Sequence, residues 1–497
     1  MAGNEGIDAR RDDGFVRRMV RLGDVLPRCR FVGGRDIPAR GCHDRAGDCG
    51  PGDVYVVRTT ADGEGGEGLA EAVARGAVAI VSERMVPAYG VPVCLVANAD
   101  EAMARICHAL AGAPADAMHL IAVAGSAGKT TTAWLTAGIL AEAGVRVGVI
   151  SDLGCLEPDA AGPSPVRLTD PSAVAGCLAR LREAGCTHVV VEVSAAMLAR
   201  RVLAGIRCVT AVVTNVVPPR PRRRGAAPPL EARLLDILVP DGDLVVCHDD
   251  AGARRLVARW LARGGAAPIR VGLRGDGGRL ALWASPVERQ LGGQTFLLQS
   301  ADEVAPVAVA TPVQAFVRDA LLAAAVGRRL GIALSDVVRG LESIGSVAGR
   351  VERIDRGQDG HVFIDQPSSR HALVATLASL RRLTAGRLVV LAERGLARRL
   401  APRRFRALVA RWSDETVVVP DGILADDPSP SVIAAYARVD RLLAGIRRRD
   451  CVVVLGRGFD PGRGPGGGDD GEPHLGLASL VAGWFALAAD PTARRAA

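Results

Sequence analysis

The segment 125–131 reads Gly-Ser-Ala-Gly-Lys-Thr-Thr and directly follows the apolar run His119–Ala124. An apolar strand, a glycine-rich turn ending in Lys-Thr and then a helix form a phosphate-binding loop, whose backbone N–H groups surround phosphate oxygens. Gly144 predicts the end of a helix that begins near Thr130. This arrangement predicts an α/β fold and a nucleotide ligand. The alternative is a glycine-rich turn that binds nothing. The nucleotide-binding residues predicted here are Gly125, Ser126, Ala127, Gly128, Lys129, Thr130 and Thr131.

Lys129 is the only lysine in the 497 residues, because 61 of the 62 Lys and Arg positions are arginine. A compact ammonium on a flexible stem fits between the terminal phosphates of a nucleotide, whereas a planar guanidinium does not fit there in the same way. The lysine at this one position therefore favours a loop that binds nucleotide. It also excludes any mechanism that needs a second lysine from this chain.

The composition argues against several classes of protein. The arginines behind the net charge of +8 are scattered and do not alternate with aromatic residues, so nucleic-acid binding is not predicted. The 11 cysteines are odd in number and form no Cys-x-x-Cys pair, which argues against a disulfide framework or a zinc site. We find no signal peptide and no apolar run long enough to span a membrane, and we expect a cytoplasmic protein without a membrane span.

Strand-like and helical segments alternate along most of the chain, which predicts an α/β fold with a mostly parallel, doubly wound central sheet. The length and this alternation predict three domains, at residues 1–115, 116–310 and 311–459, followed by a Gly-rich linker and tail at 460–497. Predicted strands are residues 54–57, 77–81, 93–96, 119–124, 145–150, 188–193, 211–216, 244–247, 362–365, 387–391, 415–419 and 451–455. Predicted helices include residues 130–143, 314–330 and an apolar stretch at 475–489.

Several motifs follow the loop in a fixed order. They are Val191-Glu192-Val193-Ser194, Val213-Thr214-Asn215, Asp319-Ala320-Leu321, Gly349-Arg350-Val351-Glu352 and Phe363-Ile364-Asp365. Together with Gly50-Pro51-Gly52-Asp53 near the start, they resemble the Mur ligases, ATP-dependent enzymes that add amino acids to the peptidoglycan precursor. The chain is most similar to the UDP-N-acetylmuramoyl-tripeptide synthetases, up to about residue 460.

The resemblance implies an N-terminal domain for a UDP precursor, a central ATP-binding domain and a C-terminal Rossmann-like domain. In such ligases ATP phosphorylates a carboxylate, and an amine then attacks the acyl phosphate. The resemblance implies catalytic roles for Lys129 and Glu192 and a Mg²⁺ held by Thr130 and Glu192. It implies nucleotide contacts from Arg350, Asp365 and Asp319, the last where the family usually has Asn. It further implies contacts of Thr169, Ser194 and Asn215 with a UDP-muramoyl-peptide. The alternatives without a functional role are that Glu192 is a carboxylate at the edge of the core, that Arg350 is a surface arginine and that Asp365 caps a helix.

The sequence departs from the family pattern at residues that the family uses for catalysis and for binding metal and substrate. The histidine after the Glu-Val-Ser motif is replaced by Ala195-Ala196-Met197-Leu198, and the family's carbamylated lysine aligns with Arg233. Arginine stays protonated and cannot be carbamylated as lysine is. The Asp-Asn-Pro-Arg motif for diaminopimelate reads Asp421-Gly422-Ile423-Leu424, and the Thr-Thr-Pro motif reads Thr169-Asp170-Pro171. The segment 218–224 contains four arginines among prolines, and it forms either an anion-binding segment or a solvated loop.

Three functional hypotheses remain open at this stage. The first is an ATP-dependent acid–amino acid ligase of cell-wall synthesis with altered chemistry. The second is a non-catalytic, ATP-binding paralogue that regulates or scaffolds another cell-wall ligase. The third, a ligase for a folate or an amino-acid polymer, predicts a different N-terminal domain and is disfavoured.

Overall fold

The computed structural model describes residues 18–34, 37–58, 68–216, 229–273, 279–401, 403–420 and 430–456, together with Leu477 and Val481. By its internal contacts the chain forms two compact units. The first comprises Met1–Pro114 with Arg201–Ile206, and the second comprises Ala115–Arg200 with Arg207–Ala497. The second unit contains two separate sheets. The three domains inferred from the sequence stay a prediction, because this clustering draws no boundary at 310.

The first unit is a small α/β sheet. Its elements are β1 (Val20–Arg21), α1 (Leu22–Val25), β2 (Arg30–Val32), β3 (Pro38–Ala39), β4 (Gly41–His43), β5 (Asp53–Val56), α2 (Leu69–Ala74), β6 (Ala79–Ser82), β7 (Val93–Leu95) and α3 (Ala99–Leu110). Five strands pair in the order β2-β7-β6-β5-β4, with only β2 antiparallel to its neighbour. Arg58, just after β5, pairs with Asp44 at 2.6 Å and with Asp100 at 2.5 Å.

The central sheet has ten strands among the described residues. Its elements are β8 (His119–Ala124), α4 (Lys129–Glu142), β9 (Val147–Ser151), β10 (Gly154–Leu156), α5 (Pro171–Glu183), β11 (His188–Val193), α6 (Ala195–Ala199), β12 (Cys208–Val213), β13 (Leu238–Cys247), α7 (Ala251–Ala262), β14 (Ile269–Gly272), β15 (Leu282–Gln290), β16 (Gly293–Gln299), β17 (Val304–Val309), α8 (Gln314–Arg329) and α9 (Leu334–Ser343). The strand order is β10-β9-β11-β8-β12-β13-β14-β15-β16-β17.

The seven consecutive strands β9-β11-β8-β12-β13-β14-β15 pair in parallel, which confirms the predicted mostly parallel sheet. Strands β10, β16 and β17 pair antiparallel. Strands β8, β9, β11 and β12 are buried along nearly their whole length, as expected for parallel strands with helices on both faces of the sheet. Ile139 of α4, Leu321 of α8 and Val123 of β8 lie fully buried in one core. Aromatic residues are scarce, so Val, Leu and Ala fill that core.

The third sheet lies in the same unit. Its elements are β18 (Glu352–Ile354), β19 (His361–Asp365), α10 (Arg370–Leu383), β20 (Leu388–Glu393), α11 (Arg394–Leu400), α12 (Phe405–Val409), β21 (Glu415–Val419), α13 (Pro430–Ala444) and β22 (Cys451–Leu455). The order is β18-β19-β22-β20-β21, parallel except for β18.

Most predicted elements are present with ends shifted by a few residues. The sequence analysis missed the antiparallel meander β15–β16–β17. The arginine-containing segment 218–224, residues 421–424 and the predicted linker lie outside the described residues. Of the predicted helix 475–489 only Leu477 and Val481 are described, and both are helical.

Candidate nucleotide-binding site

The loop between β8 and α4 has a backbone that only glycine adopts easily. Gly125 has a φ of +144° and Gly128 a φ of +81°. A Cβ at Gly125 would lie 2.1 Å from Thr214 Oγ1, and one at Gly128 would lie 2.2 Å from Asp319 Oδ1. The two glycines thus permit both the left-handed turns and the close packing of the loop. Helix α4 begins at Lys129, so its N-terminus faces the loop.

Thr214 and Asn215, which follow β12, hold the loop in shape. The N–H groups of Ser126 and Ala127 donate to Asn215 Oδ1 at 3.1 and 3.2 Å. Asn215 Nδ2 and Thr214 Oγ1 donate to the Ala127 carbonyl at 2.9 and 2.6 Å. The parallel strands β8 and β12 end side by side, which brings these groups together. Asn215 therefore fixes the loop, and its contact with a substrate stays a prediction.

A buried charged cluster lies beside the loop. Glu192, near the end of β11, is fully buried, and its Oε2 accepts the Thr130 hydroxyl at 2.8 Å. Lys129 Nζ lies 3.6 Å from Glu192 Oε1, and the Lys129 side chain is only 7% exposed. Within the described residues, Glu192 Oε1 has no hydrogen-bond partner. A buried carboxylate oxygen that accepts no hydrogen bond suits a bound cation, because buried polar atoms normally have a partner.

Arg350 reaches this cluster from the segment before β18. Its Nη2 donates to Thr130 Oγ1 at 3.0 Å, and its Nη1 donates to the carbonyls of Gly349 and Gln366 at 3.2 Å each. The same Nη2 lies 4.0 Å from Asp152 Oδ2. Arg350 therefore connects the segment before the third sheet to the phosphate loop, and the alternative that it is only a surface arginine is wrong.

Asp152 is a site residue that the sequence analysis missed. It directly follows β9, and its N–H donates to Glu192 Oε2 at 3.1 Å. Desolvation, with the neighbouring Glu192 carboxylate, raises the pKa of Asp152 to about 6. The carboxyl ends of parallel strands meet at one edge of a sheet, and that rule, applied to the strand predicted at 145–150, would have found Asp152.

Two further carboxyl groups line the site, and burial raises the pKa of each. The pKa of Asp365 rises to about 6, although the Thr376 hydroxyl donates to it at 2.9 Å and favours its charged form. The pKa of Asp319 lies well above its ordinary value for the same reason. Asp365 lies at the end of β19, and its partner Thr376 is within α10, so the carboxylate does not cap that helix.

A cavity of about 330 Å³ lies beside the loop, and the predicted residues Gly125, Ser126 and Glu192 are not among the residues that line it. Of the predicted residues, its lining includes Ala127, Gly128, Lys129, Thr130, Thr131, Asn215, Asp319, Arg350 and Asp365. It also includes residues the sequence analysis did not single out, namely Asp249, Asp250, Gln366 and His371. Asp250 Oδ1 accepts the N–H of Ala253 at 2.7 Å and caps α7.

Two predicted substrate residues have other partners and do not line this cavity. The Ser194 hydroxyl accepts the Met197 N–H at 3.1 Å and caps α6. The carbonyl of Thr169 accepts Arg200 Nη1 at 3.5 Å, and the neighbouring Asp170 caps α5. Their contacts with a UDP-muramoyl-peptide stay predictions.

Two of the described side chains offer ligands that suit a magnesium ion. Thr130 and Glu192 offer a hydroxyl and a buried carboxylate, which are the hard oxygen donors that Mg²⁺ takes. Arg233, for which the sequence analysis predicts the place of the family's metal-holding lysine, donates from its Nη1 to the carbonyls of Leu198 and Ala199 at 2.9 Å each. Across the described part of the chain, no three His, Cys, Asp or Glu side chains cluster as metal ligands would.

No helix within that part is long and apolar enough to cross a membrane.

Comparison with known proteins agrees with this architecture. Residues 123–219 match the Mur ligase middle domain. The chain is 30% identical over 421 residues to the UDP-N-acetylmuramoyl-L-alanyl-D-glutamate--2,6-diaminopimelate ligase of Solibacter usitatus (strain Ellin6076), covering 82% of this chain and 81% of the relative. A solved UDP-N-acetylmuramoyl-L-alanyl-D-glutamate--2,6-diaminopimelate ligase superposes with a TM-score of 0.64 at 18% identity, covering 88% of this chain and 93% of that one. The MurF ligase of Thermotoga maritima in complex with ADP superposes with a TM-score of 0.54 at 16% identity, covering 83% and 93%. Because the Solibacter relative matches over about four fifths of both chains, this protein belongs to the Mur ligase family.

Proposed function

We propose that this protein binds ATP with one Mg²⁺ at the cavity beside the phosphate loop. The observation that carries the proposal is the loop itself, with glycines at both left-handed positions and the chain's one lysine at the start of α4. Backbone N–H groups at a helix N-terminus favour phosphate oxygens. The ADP bound by the Thermotoga MurF ligase, a protein of the same fold, supports a nucleotide here.

Each residue has a role that follows from its chemistry. Lys129 would place its ammonium on the terminal phosphates, and Arg350, from the segment before β18, would add a second positive charge. Thr130 and Glu192 would hold the Mg²⁺, which supplies charge neutralisation for the phosphates when bound. Asp319 and Asp365 also line the cavity and would contact the nucleotide.

Turnover is a separate matter from binding. Relatives such as the Solibacter enzyme are named for adding 2,6-diaminopimelate to UDP-N-acetylmuramoyl-L-alanyl-D-glutamate. In this chain Arg233 replaces the lysine of the second metal and is bound to two backbone carbonyls. Loss of one preorganised electrostatic contact typically slows an enzyme by about 10²–10³-fold. We infer that this protein adds a third residue at least that many times more slowly than family members that have the lysine.

A second candidate function follows from the same observation about Arg233. A chain that binds ATP but does not turn it over would act as a regulator or scaffold for another cell-wall ligase. The first candidate predicts amide-bond formation, and the second predicts nucleotide occupancy alone.

Calorimetric titration of ATP with Mg²⁺ tests the binding proposal on wild type, on Lys129→Ala and on Arg339→Ala as a control. Arg339 is 56% exposed and pairs with Glu142 on the surface. We expect binding by the wild type and by the control, and none by Lys129→Ala. Equal affinity for all three proteins would refute the assignment of the phosphate loop.

Phosphate release separates the two candidates. The purified protein is incubated with ATP, Mg²⁺, UDP-muramoyl-dipeptide and a mixture of amino acids. Release that requires both co-substrates would establish a ligase that works without the family's lysine. Tight binding without release would establish the nucleotide-binding paralogue.

A further inference from the structure

Three oxygen-bearing groups from three elements converge beside the phosphate loop. Thr130 comes from α4, Glu192 from β11 and Asp152 from the residue after β9. Strands β9 and β11 are parallel neighbours, with Ile150 opposite Val191, so their carboxyl ends lie side by side. The Asp152 N–H and the Thr130 hydroxyl both donate to Glu192 Oε2, at 3.1 and 2.8 Å.

The two oxygens of Glu192 are in different situations. Oε2 has two donors, whereas Oε1 has no hydrogen-bond partner within the described residues, although Glu192 is fully buried. Lys129 Nζ, at 3.6 Å from Oε1, is too distant for a hydrogen bond. A buried carboxylate oxygen of this kind is an independent sign that the cluster takes a cation.

A positive group already lies at the mouth of this cluster. Arg350 Nη2 is 3.0 Å from Thr130 Oγ1 and 4.0 Å from Asp152 Oδ2. The Asp152 side chain is 41% exposed, so its carboxylate is open to an ion arriving from solvent. The Asp152 oxygen that faces the guanidinium is therefore accessible to a divalent cation.

The arriving nucleotide changes the charge balance. The carboxylates of Glu192 and Asp152 are matched by the cations of Lys129 and Arg350, and ATP adds several negative charges. Mg²⁺ is usually held by one or two carboxylates together with substrate phosphates and water. A divalent ion among Thr130, Glu192 and Asp152 would restore the balance and release Arg350 for the phosphates.

We propose that Asp152 is a third protein ligand of the divalent cation that Thr130 and Glu192 hold. The inference rests on the proposed ATP and Mg²⁺ binding and adds a carboxylate that the family motifs named above do not include. It gives this one cation position two carboxylates in a chain that lacks the lysine for a second position.

Manganese binding tests the proposal, because Mn²⁺ takes the same carboxylate and water ligands as Mg²⁺. Free Mn²⁺ is measured by electron paramagnetic resonance during titration of the full-length protein, with and without a non-hydrolysable ATP analogue. The variants are Asp152→Asn, Asp152→Glu and Asp159→Asn. Asp159 is the matched control, since it lies seven residues further on, is 81% exposed and pairs only with Arg146 among the described residues.

We expect Asp152→Asn to weaken Mn²⁺ binding in the presence of the analogue by at least about 10-fold. Mutation of residues that only hydrogen-bond to a metal ligand already lowers metal affinity by about that factor. Asp152→Glu should recover part of that loss, and Asp159→Asn should match the wild type. The affinity for the analogue in EDTA should be the same for Asp152→Asn and wild type, which shows that the loop is intact.

Three results would overturn the inference in distinguishable ways. If wild type binds no analogue with or without metal, the proposed function fails and the inference fails with it. If wild type binds the analogue and Asp152→Asn has the same Mn²⁺ affinity, only the role of Asp152 is refuted. If Asp152→Asn does not fold, an Asp152→Glu variant with Mn²⁺ affinity no different from that of Asp152→Ala refutes it as well.

Discussion

Removing the ammonium of Lys129 should destabilise the protein even in the absence of nucleotide. The Lys129 side chain is 7% exposed and that of Glu192 fully buried, with 3.6 Å between Nζ and Oε1. At an effective dielectric constant of about 20, unit charges at this separation attract by about 4–5 kcal/mol. Loss of one partner of a buried pair typically costs about 3–5 kcal/mol, because the other charge is left buried and unpaired. We therefore expect Lys129→Ala to lower the free energy of unfolding by about that amount.

A double-mutant cycle isolates this interaction from the loss of side-chain packing. Lys129→Ala and Glu192→Gln are made singly and together, and unfolding in urea with EDTA is followed by tryptophan fluorescence. Trp134 lies on the same helix as Lys129 and donates to Ser151 Oγ at 3.2 Å, so it reports on this region. The double variant should be more stable than the sum of the single losses predicts, by at least about 2 kcal/mol.

A surface pair between α4 and α9 provides the control for that cycle. Arg339 and Glu142 pair at 2.7 Å, with side chains 56% and 33% exposed. Exposed pairs contribute less than about 1 kcal/mol because water and salt screen them. If the Lys129–Glu192 cycle shows effects that are additive to within about 0.5 kcal/mol, the reasoning about a buried pair is wrong.

Three further predictions concern the walls of the cavity. Arg350→Ala should weaken ATP binding about 10- to 150-fold in calorimetry, the effect of losing one hydrogen bond from a charged donor, and unchanged affinity would contradict its role. The pKa of Asp365 is about 6 in the folded protein and an ordinary 3.8 in the unfolded chain. Because the unfolded chain loses this proton first, the free energy of unfolding should fall by about 3 kcal/mol as the pH rises from about 4 to 6. Asp365→Asn should flatten that part of the stability profile, and parallel profiles would refute it. Gly128→Ala should destabilise more than Gly144→Ala, because both glycines have a positive φ but only at Gly128 would the added Cβ collide, 2.2 Å from Asp319; melting temperatures lowered equally would show that the collision is relieved.

The parallel strands were the most predictable part of the fold. Strands β8, β11, β21 and β22 have the bounds expected from sequence, because strands buried on both faces are continuous apolar runs. The meander β15–β17 was missed because its residues alternate between buried and exposed, and Pro286 and Pro306 interrupt the pattern. The Gly292-Gly293 pair between two such segments was the available signal for a hairpin.

The candidate site was predictable where the chemistry follows the loop and the strand ends. Lys129, Thr130 and Glu192 meet as expected, because β8 and β11 are parallel neighbours in register. The hydrogen bond of Arg350 to Thr130 joins residues 220 positions apart, and no local pattern specifies such a contact. The partners of Arg233 were equally hidden, since they are backbone carbonyls at the end of a five-residue helix.

The lone lysine makes this protein unusually simple to observe by magnetic resonance. A sample grown with isotope-labelled lysine carries the label at one position out of 497, and that position begins the helix after the phosphate loop. Its spectrum should contain one backbone amide signal and one side-chain ammonium signal, with no assignment needed. The occupancy of the loop, its exchange between states and the distance of Nζ from a paramagnetic ion would then be read from a single resonance.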